Sequence, residues 1–169
     1  MPMFKRIFFL SLVWVFFSLS LIRAEVYLSP EEAIGKIFPD YQYYKTQAHT
    51  LEEQKLDVWT VLLGEKILGW AVALNEKGMK EPISFLVGID VEGNVLDVYV
   101  LEYREPHGSE ITRPAFLSQF YGKTVNSPLV VGQDIDGVTQ ATISSKSAAG
   151  AVKKALRIID DLRKNPPNA

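Results

Sequence analysis

The chain has 169 residues, of which 47% are hydrophobic and 22% charged, a composition typical of one globular domain. Its formal net charge is −2 at pH 7, so it lacks the basic excess with which nucleic-acid-binding proteins release counterions, and nucleic acid is excluded as the main partner. The sequence has no cysteine, which excludes disulfides, a cysteine-linked lipid anchor, iron–sulfur ligation and thioether-linked haem.

The first 24 residues have the pattern of a secretory signal peptide. Lys5 and Arg6 precede an apolar stretch over residues 7–22, and Ala24 offers a small residue for cleavage. Cleavage there would leave 15 basic against 20 acidic residues, a net charge of −5. The alternative is an uncleaved anchor, since the stretch is just short of the roughly 17–25 residues that span a bilayer. We expect residues 25–169 to form a single domain in the periplasm or on the extracytoplasmic face of the cytoplasmic membrane.

The first predicted element after this segment is a helix. Ser29-Pro30-Glu31-Glu32 combines a capping serine, a proline suited to the first turn and a glutamate three residues after the cap, and Pro39 ends the pattern. A second start signal, Thr50-Leu51-Glu52-Glu53, indicates another short helix, whereas residues 41–44 are more typical of extended chain.

Four strands are predicted next, as two hairpins. The first pairs residues 58–63 with 67–74 around a Gly64-Glu65-Lys66 turn, and the second pairs residues 83–90 with 95–102 around a Glu92-Gly93-Asn94 turn. Strands joined in this order predict an antiparallel sheet.

The remaining elements complete an α+β domain. A polar loop over residues 103–110 leaves the sheet, Thr112 starts a short helix, residues 129–131 are a candidate strand, and a helix begins at about Ser144 and ends at Asn165-Pro166-Pro167. The predicted fold is a mainly antiparallel sheet with helices packed on one face and a C-terminal helix.

Small hydroxyl residues are concentrated directly before this last helix. Thr139, Thr142, Ser144 and Ser145 lie within seven positions. The unpaired N–H groups and the dipole of a helix N-terminus favour an anion, so this run is a candidate phosphate site. The alternative is that these side chains merely cap the helix, although capping needs one such residue.

Residues 136–142, Asp136-Gly137-Val138-Thr139-Gln140-Ala141-Thr142, resemble the flavinylation motif of FMN-binding domain proteins. These are related to the covalently flavinylated subunits of the Na⁺-translocating NADH:quinone reductase and of Rnf complexes. The motif has Asp, two free positions, Ser or Thr, Gly, Ala and Thr. The resemblance implies that FMN is attached to Thr142 through a phosphoester, installed from FAD by a magnesium-dependent flavin transferase, with Asp136, Thr139 and Ala141 as the other matched positions.

Gln140 departs from that motif, which has glycine at this place. If the position requires a positive φ angle, glutamine costs about 1 kcal/mol or more relative to glycine. The longer side chain could also obstruct the transferase. Gln140 is therefore the argument for an alternative in which the chain keeps the fold without the flavin.

A second segment resembles the same family. Residues 103–111 and 116–123 are similar to its Glu-and-Gly loop and the short helix beside the flavin ring, and the resemblance extends over roughly residues 57–161. It implies that Glu105, His107 and Gly108 lie near the flavin. Ser144, in the hydroxyl-rich run before the last helix, is a further candidate for binding the phosphate.

Several of these residues also have simpler interpretations. His107 could donate to flavin carbonyls or relay a proton, yet a lone loop histidine is more often solvated. Glu105 and Glu110 could orient the loop or pair with arginines nearby. The aromatic residues on the strands fit a core better than flavin stacking; they are Trp59, Trp70, Phe85 and Tyr99.

The leading functional hypothesis is an electron carrier with covalent FMN that exchanges electrons with membrane-bound or periplasmic redox proteins. The alternatives are a small periplasmic flavin reductase and a binding or assembly module without flavin. Hydrolase motifs are absent from the sequence, and its two histidines, His49 and His107, are too far apart in sequence to predict a zinc site. We expect neither a metal site nor catalytic residues of a stand-alone enzyme.

Overall fold

An antiparallel sheet of six strands forms the centre of the part that the computed structural model describes, residues 25–51 and 54–166. The strands are β1 (Glu25–Val26), β2 (Tyr43–Leu51), β3 (Gln54–Leu63), β4 (Lys66–Lys77), β5 (Pro82–Asp90) and β6 (Val95–Tyr103), in the spatial order β1-β6-β5-β4-β3-β2. The helices are α1 (Pro30–Ile37), α2 (Pro114–Leu117) and α3 (Thr142–Lys164), with 3-10 turns at Ser109–Thr112 and Ser118–Phe120. The α+β class and the C-terminal helix are confirmed, whereas the predicted signal segment, residues 1–24, lies outside the described residues.

Both predicted hairpins are present. The β3–β4 turn is formed at Gly64, whose φ is +58°, and the β5–β6 turn contains Gly93 with φ +93°. Such φ values are readily adopted by glycine alone, which is why these two turns could be recognised in the sequence.

Two local predictions were wrong. Thr50 does not start a helix, because it lies in β2 opposite Lys55 of β3; a ladder of backbone hydrogen bonds along β3 outweighs the local capping signal. Residues 129–131 do not form a strand beyond a single bridge between Val131 and Ile135. The Asp134 carboxylate accepts hydrogen bonds from the backbone amides of residues 129 and 130, which turns the chain back on itself.

Helices cover both faces of the sheet, which corrects the expectation that they pack on one face. Alternate residues of a strand point to opposite faces. Phe85 and Val87 of β5 pack in the core with α3, whereas Leu86 between them packs with Ala33 and Ile34 of α1. A Cβ on Gly88 would lie 2.6 Å from Cγ2 of Ile37, so this glycine permits the close approach of α1.

The helix α3 begins at Thr142, two residues earlier than predicted. One side of α3 is buried against the sheet through small and branched residues at three- and four-residue steps, as its periodicity predicted; these include Ala148, Val152, Ala155 and Ile159. The short helix predicted after Thr112 is present as α2, although Arg113 rather than Thr112 is its cap residue and 3-10 turns flank it on both sides. Within the described residues, no helix has the length and apolar character needed to cross a membrane.

Candidate functional site

The N-terminus of α3 lacks a side-chain cap. Ala141 occupies the cap position and has no hydroxyl or carboxylate to accept from the first-turn amides, and the first turn contains no acidic residue. Ser145, which is fully buried, instead accepts from the Val138 amide at 3.1 Å and donates to the Ala141 carbonyl at 2.9 Å. The first-turn N–H groups, which no helical carbonyl can reach, are therefore left for a ligand or solvent.

Gln140 adopts the left-handed conformation, with φ +64°. This is the position at which the flavinylation motif has glycine, and the condition under which glutamine is costly is therefore met. A non-glycine residue in this region is strained by about 1–2 kcal/mol. Through this left-handed residue, the chain passes from the exposed Thr139 into the first turn of α3.

A cavity of about 390 Å³ opens at this helix terminus. It lies between the start of α3 and the loop that follows β6, and its volume is within the range of small-molecule sites. Its lining residues are Met79, Glu105, Pro106, His107, Gln140, Ala141, Thr142, Ile143 and Ser144. The structure thus brings together five of the predicted site residues, which are Glu105, His107, Ala141, Thr142 and Ser144.

Two predicted site residues lie elsewhere. Asp136 is exposed and lines a separate groove of about 340 Å³ with Arg113 and Glu110. The side-chain amide of Gln119 holds its backbone, accepting from the Asp136 amide at 2.7 Å and donating to its carbonyl at 3.3 Å. Thr139 is exposed and lines neither space.

Glu105 is buried and joins two loops at the cavity. Its Oε1 accepts hydrogen bonds from the amides of Lys80 at 2.6 Å and Glu81 at 2.9 Å, in the β4–β5 connection. It does not pair with Arg104, whose guanidinium contacts Glu102 at 2.7 Å instead. Two amide donors stabilise the charged carboxylate without a cation, and they fix the connection that carries Met79 beside the cavity.

Tyr103, which sequence reasoning did not select, connects the loop after β6 with the start of α3. Its buried hydroxyl donates to the His107 carbonyl at 2.6 Å and lies 3.2 Å from Oγ of Ser144. Since a phenol has one proton, the Ser144 hydroxyl is the donor of the second hydrogen bond. Burial raises the pKa of Tyr103, and the charges of Glu105 and Glu110 add to this, so the phenol stays protonated. Its place at the end of β6, directly before the polar loop, was the available sequence signal.

Gly108 permits the close contact between the loop and the helix. Its φ is +89°, and a Cβ there would lie 2.8 Å from Cβ of Ala141 and 2.9 Å from the Tyr103 hydroxyl. It therefore lets the loop approach the start of α3, although it does not itself line the cavity.

The mouth of the cavity is apolar on two sides and carries the Thr142 hydroxyl. Met79 is 57% exposed and Ile143 is 46% exposed, and both side chains line the cavity, so they give it an apolar edge. Thr142 is the first residue of α3 and is itself exposed. Uncapped amides, a free hydroxyl and an apolar rim fit a molecule that joins a phosphate to a flat hydrophobic ring.

Comparison with known proteins agrees with this arrangement. Residues 78–157 match the family model of the FMN-binding domain, and this segment contains every residue that lines the cavity. One component of the proton-translocating ferredoxin:NAD(+) oxidoreductase complex of Clostridium ljungdahlii is 28% identical over 109 residues, which cover 60% of this chain and 59% of that protein. The chain thus spans about three fifths of that relative's length.

The segment that matches the FMN-binding domain contains the strands β5 and β6, most of α3 and the cavity between them. The two matches identify an FMN-binding domain within residues 78–157 and support a relation to Rnf.

Proposed function

We propose that the protein is an extracytoplasmic electron carrier that holds FMN through a phosphoester to Thr142. It would exchange electrons with membrane-bound or periplasmic redox proteins. The observation that carries the proposal is the place of Thr142, whose exposed side chain lies at the mouth of the cavity on an uncapped helix N-terminus. The printed name of the relative, a component of an oxidoreductase complex, supports the electron-transfer part.

Thr142 is the best placed of the neighbouring hydroxyls for modification. Ser144 is buried and already donates to Tyr103, and Ser145 is buried with both partners in the protein. Thr139 is exposed but lies outside the cavity. Transfer from FAD would form a bond between Oγ1 of Thr142 and the FMN phosphorus, break the diphosphate and release AMP, with a flavin transferase as the catalyst.

The residues of the site would bind the two ends of the cofactor in different ways. The first-turn amides of α3 and the helix dipole would stabilise the remaining phosphate charge by about 0.3–2 kcal/mol. Met79 and Ile143 would cover the hydrophobic ring, and Glu105 and His107 would set the charge beside it. The bound flavin supplies one- and two-electron chemistry, and the protein tunes it through burial and nearby charge.

The decisive experiment is the intact mass of the protein after export from cells that also produce a flavin transferase. We expect a gain equal to FMN minus water, which Thr142→Ala abolishes. Thr46→Ala is the matched control, because it removes an exposed threonine hydroxyl on β2, outside both the motif and the cavity, and it should leave the gain unchanged. An unmodified wild-type mass, or equal modification of the Thr142 variant, would refute the attachment site.

A flavin-free binding module is the second candidate, and Gln140 is the observation that favours it. Its side chain lines the cavity beside Thr142, where the glycine of the motif has none, and this side chain would hinder the transferase. If the wild-type chain stays unmodified while Gln140→Gly acquires the flavin, the module is the correct interpretation.

Recovery of the mature chain in the periplasmic fraction, or in the membrane fraction with an accessible C-terminus outside the cytoplasm, tests the proposed location.

A further inference from the structure

Three basic residues form a stripe along the exposed side of α3. Lys146, Lys153 and Arg157 are separated by seven and four residues, spacings that place side chains on one face of a helix. At 1.5 Å per residue, the stripe is about 16 Å long. Lys146 lies one turn after Thr142, so the stripe begins at the mouth of the cavity. We call these three residues the basic stripe.

The charge of the basic stripe is not neutralised within the described part of the chain. None of the four ion pairs found over residues 25–51 and 54–166 involves it. Lys153 makes a hydrogen bond to the Pro128 carbonyl at 3.4 Å, which leaves its charge in place. Farther along the same side, Lys164 pairs with Asp160 at 2.6 Å. The charge of the basic stripe therefore extends from one turn after Thr142 to Arg157, ahead of the Lys164–Asp160 pair.

This charge contrasts with the rest of the molecule. The whole chain has a net charge of −2, so a compact positive region on one helix is not a consequence of overall composition. Next to it lies the apolar rim of Met79 and Ile143, with exposed fractions of 57% and 46%. An apolar centre beside a charged border is the arrangement of a protein interface.

We infer that the basic stripe and the apolar rim together dock an acidic redox protein over the cavity. The inference rests on the proposed function, because electron transfer requires a partner close to the flavin. The charges would attract and orient the partner, and Met79 and Ile143 would supply the dry contact. An anionic membrane is less well matched, since the apolar side of α3 is buried in the core and cannot insert between lipids.

The test compares two triple variants that change the net charge equally. Lys146→Glu/Lys153→Glu/Arg157→Glu reverses the basic stripe. Lys36→Glu/Lys45→Glu/Lys66→Glu is the control, because these exposed lysines lie on α1, on β2 and at the start of β4. The probe is a strongly acidic plant-type [2Fe–2S] ferredoxin, whose electron transfer to the flavinylated protein is followed by stopped flow at low and high ionic strength.

For the wild type and the control variant, we expect a rate constant that falls as salt is added. Reversal of the basic stripe should lower the rate constant at low salt by tenfold or more relative to the control, because steering by local charge contributes about 10–10³-fold to association. Its rate constant should also no longer fall as salt is added, since salt then screens a repulsion. Equal losses in the two variants would show an effect of net charge alone and overturn the inference. So would unchanged rates in the stripe variant together with lost binding to phosphatidylglycerol vesicles.

The outcome can be separated from failure of the proposed function. Binding of oxidised ferredoxin to the flavin-free Thr142→Ala protein is measured by NMR line broadening, which needs no flavin. Suppose that the wild type never acquires FMN, but that adding the stripe reversal to Thr142→Ala abolishes ferredoxin binding. The docking surface is then supported and the proposed cofactor is refuted. If the wild type does acquire FMN but reversal of the stripe leaves ferredoxin binding unchanged, the cofactor is supported and the docking surface is refuted.

Discussion

Replacing Gln140 tests whether the entry into α3 is strained. Its φ of +64° lies in the left-handed region, where a side chain costs about 1–2 kcal/mol that glycine does not incur. Glycine also gives the unfolded chain more freedom, which offsets about 0.4–1 kcal/mol of the gain. We therefore expect Gln140→Gly to be more stable than Gln140→Ala by ~1 kcal/mol, since alanine keeps the strain and removes the long side chain.

Urea denaturation of both variants measures this difference as a free energy of unfolding. For a domain of this size it corresponds to about 3 °C in the melting temperature. Thr139 is the control, because it is also exposed but its φ is not positive, so the order of stability of the glycine and alanine variants should be reversed there. Thr139→Gly should be less stable than Thr139→Ala by about 0.4–1 kcal/mol. If alanine matches or exceeds glycine at residue 140, the backbone there is not strained as we infer.

Two further predictions concern the loop beside the cavity and the turn before the motif. Gly108→Ala should lower the free energy of unfolding by ~2–4 kcal/mol, from left-handed strain plus overlap with Ala141. Gly122→Ala is the control, because Gly122 has φ +70° but open space around it, and it should cost ~1–2 kcal/mol. Equal losses of stability in thermal unfolding would refute the overlap. The Val130 amide and Lys123 hold the pKa of Asp134 below its usual range despite its partial burial. The stabilising effect of the ionised Asp134 is therefore complete above the unfolded pKa of about 4 and is lost as pH falls through the lower folded pKa. The difference in unfolding free energy between wild type and Asp134→Asn should consequently shrink in acid. A difference that grows in acid would contradict this argument.

Local sequence signals predicted most of the sheet and the last helix. The turns at Gly64 and Gly93 need conformations that glycine adopts most easily, and apolar periodicity identified the buried side of α3. The failures were segments whose local preference was weak. Thr50 has a capping signal but pairs along β3, and residues 129–131 have strand propensity but are turned by Asp134.

The candidate site was predictable in its residue types but not in its assembly. The motif led to Thr142, and the loop resemblance led to Glu105 and His107, which the structure places around one cavity. Asp136 lies in another groove although it belongs to the same motif. Tyr103 was missed because a tyrosine at a strand end has no pattern that distinguishes a buried hydrogen-bonding hydroxyl from an exposed one.

The sequence by itself determined the order of the strands along the chain, the α+β class and the hydroxyl-rich entry into α3, because these depend on residues close together in the chain. The tertiary structure alone decided that α1 packs on the opposite face, that Glu105 ties together two distant loops and that Gln140 is left-handed. Such features arise from contacts between segments far apart in sequence, and local patterns do not encode which of those segments meet.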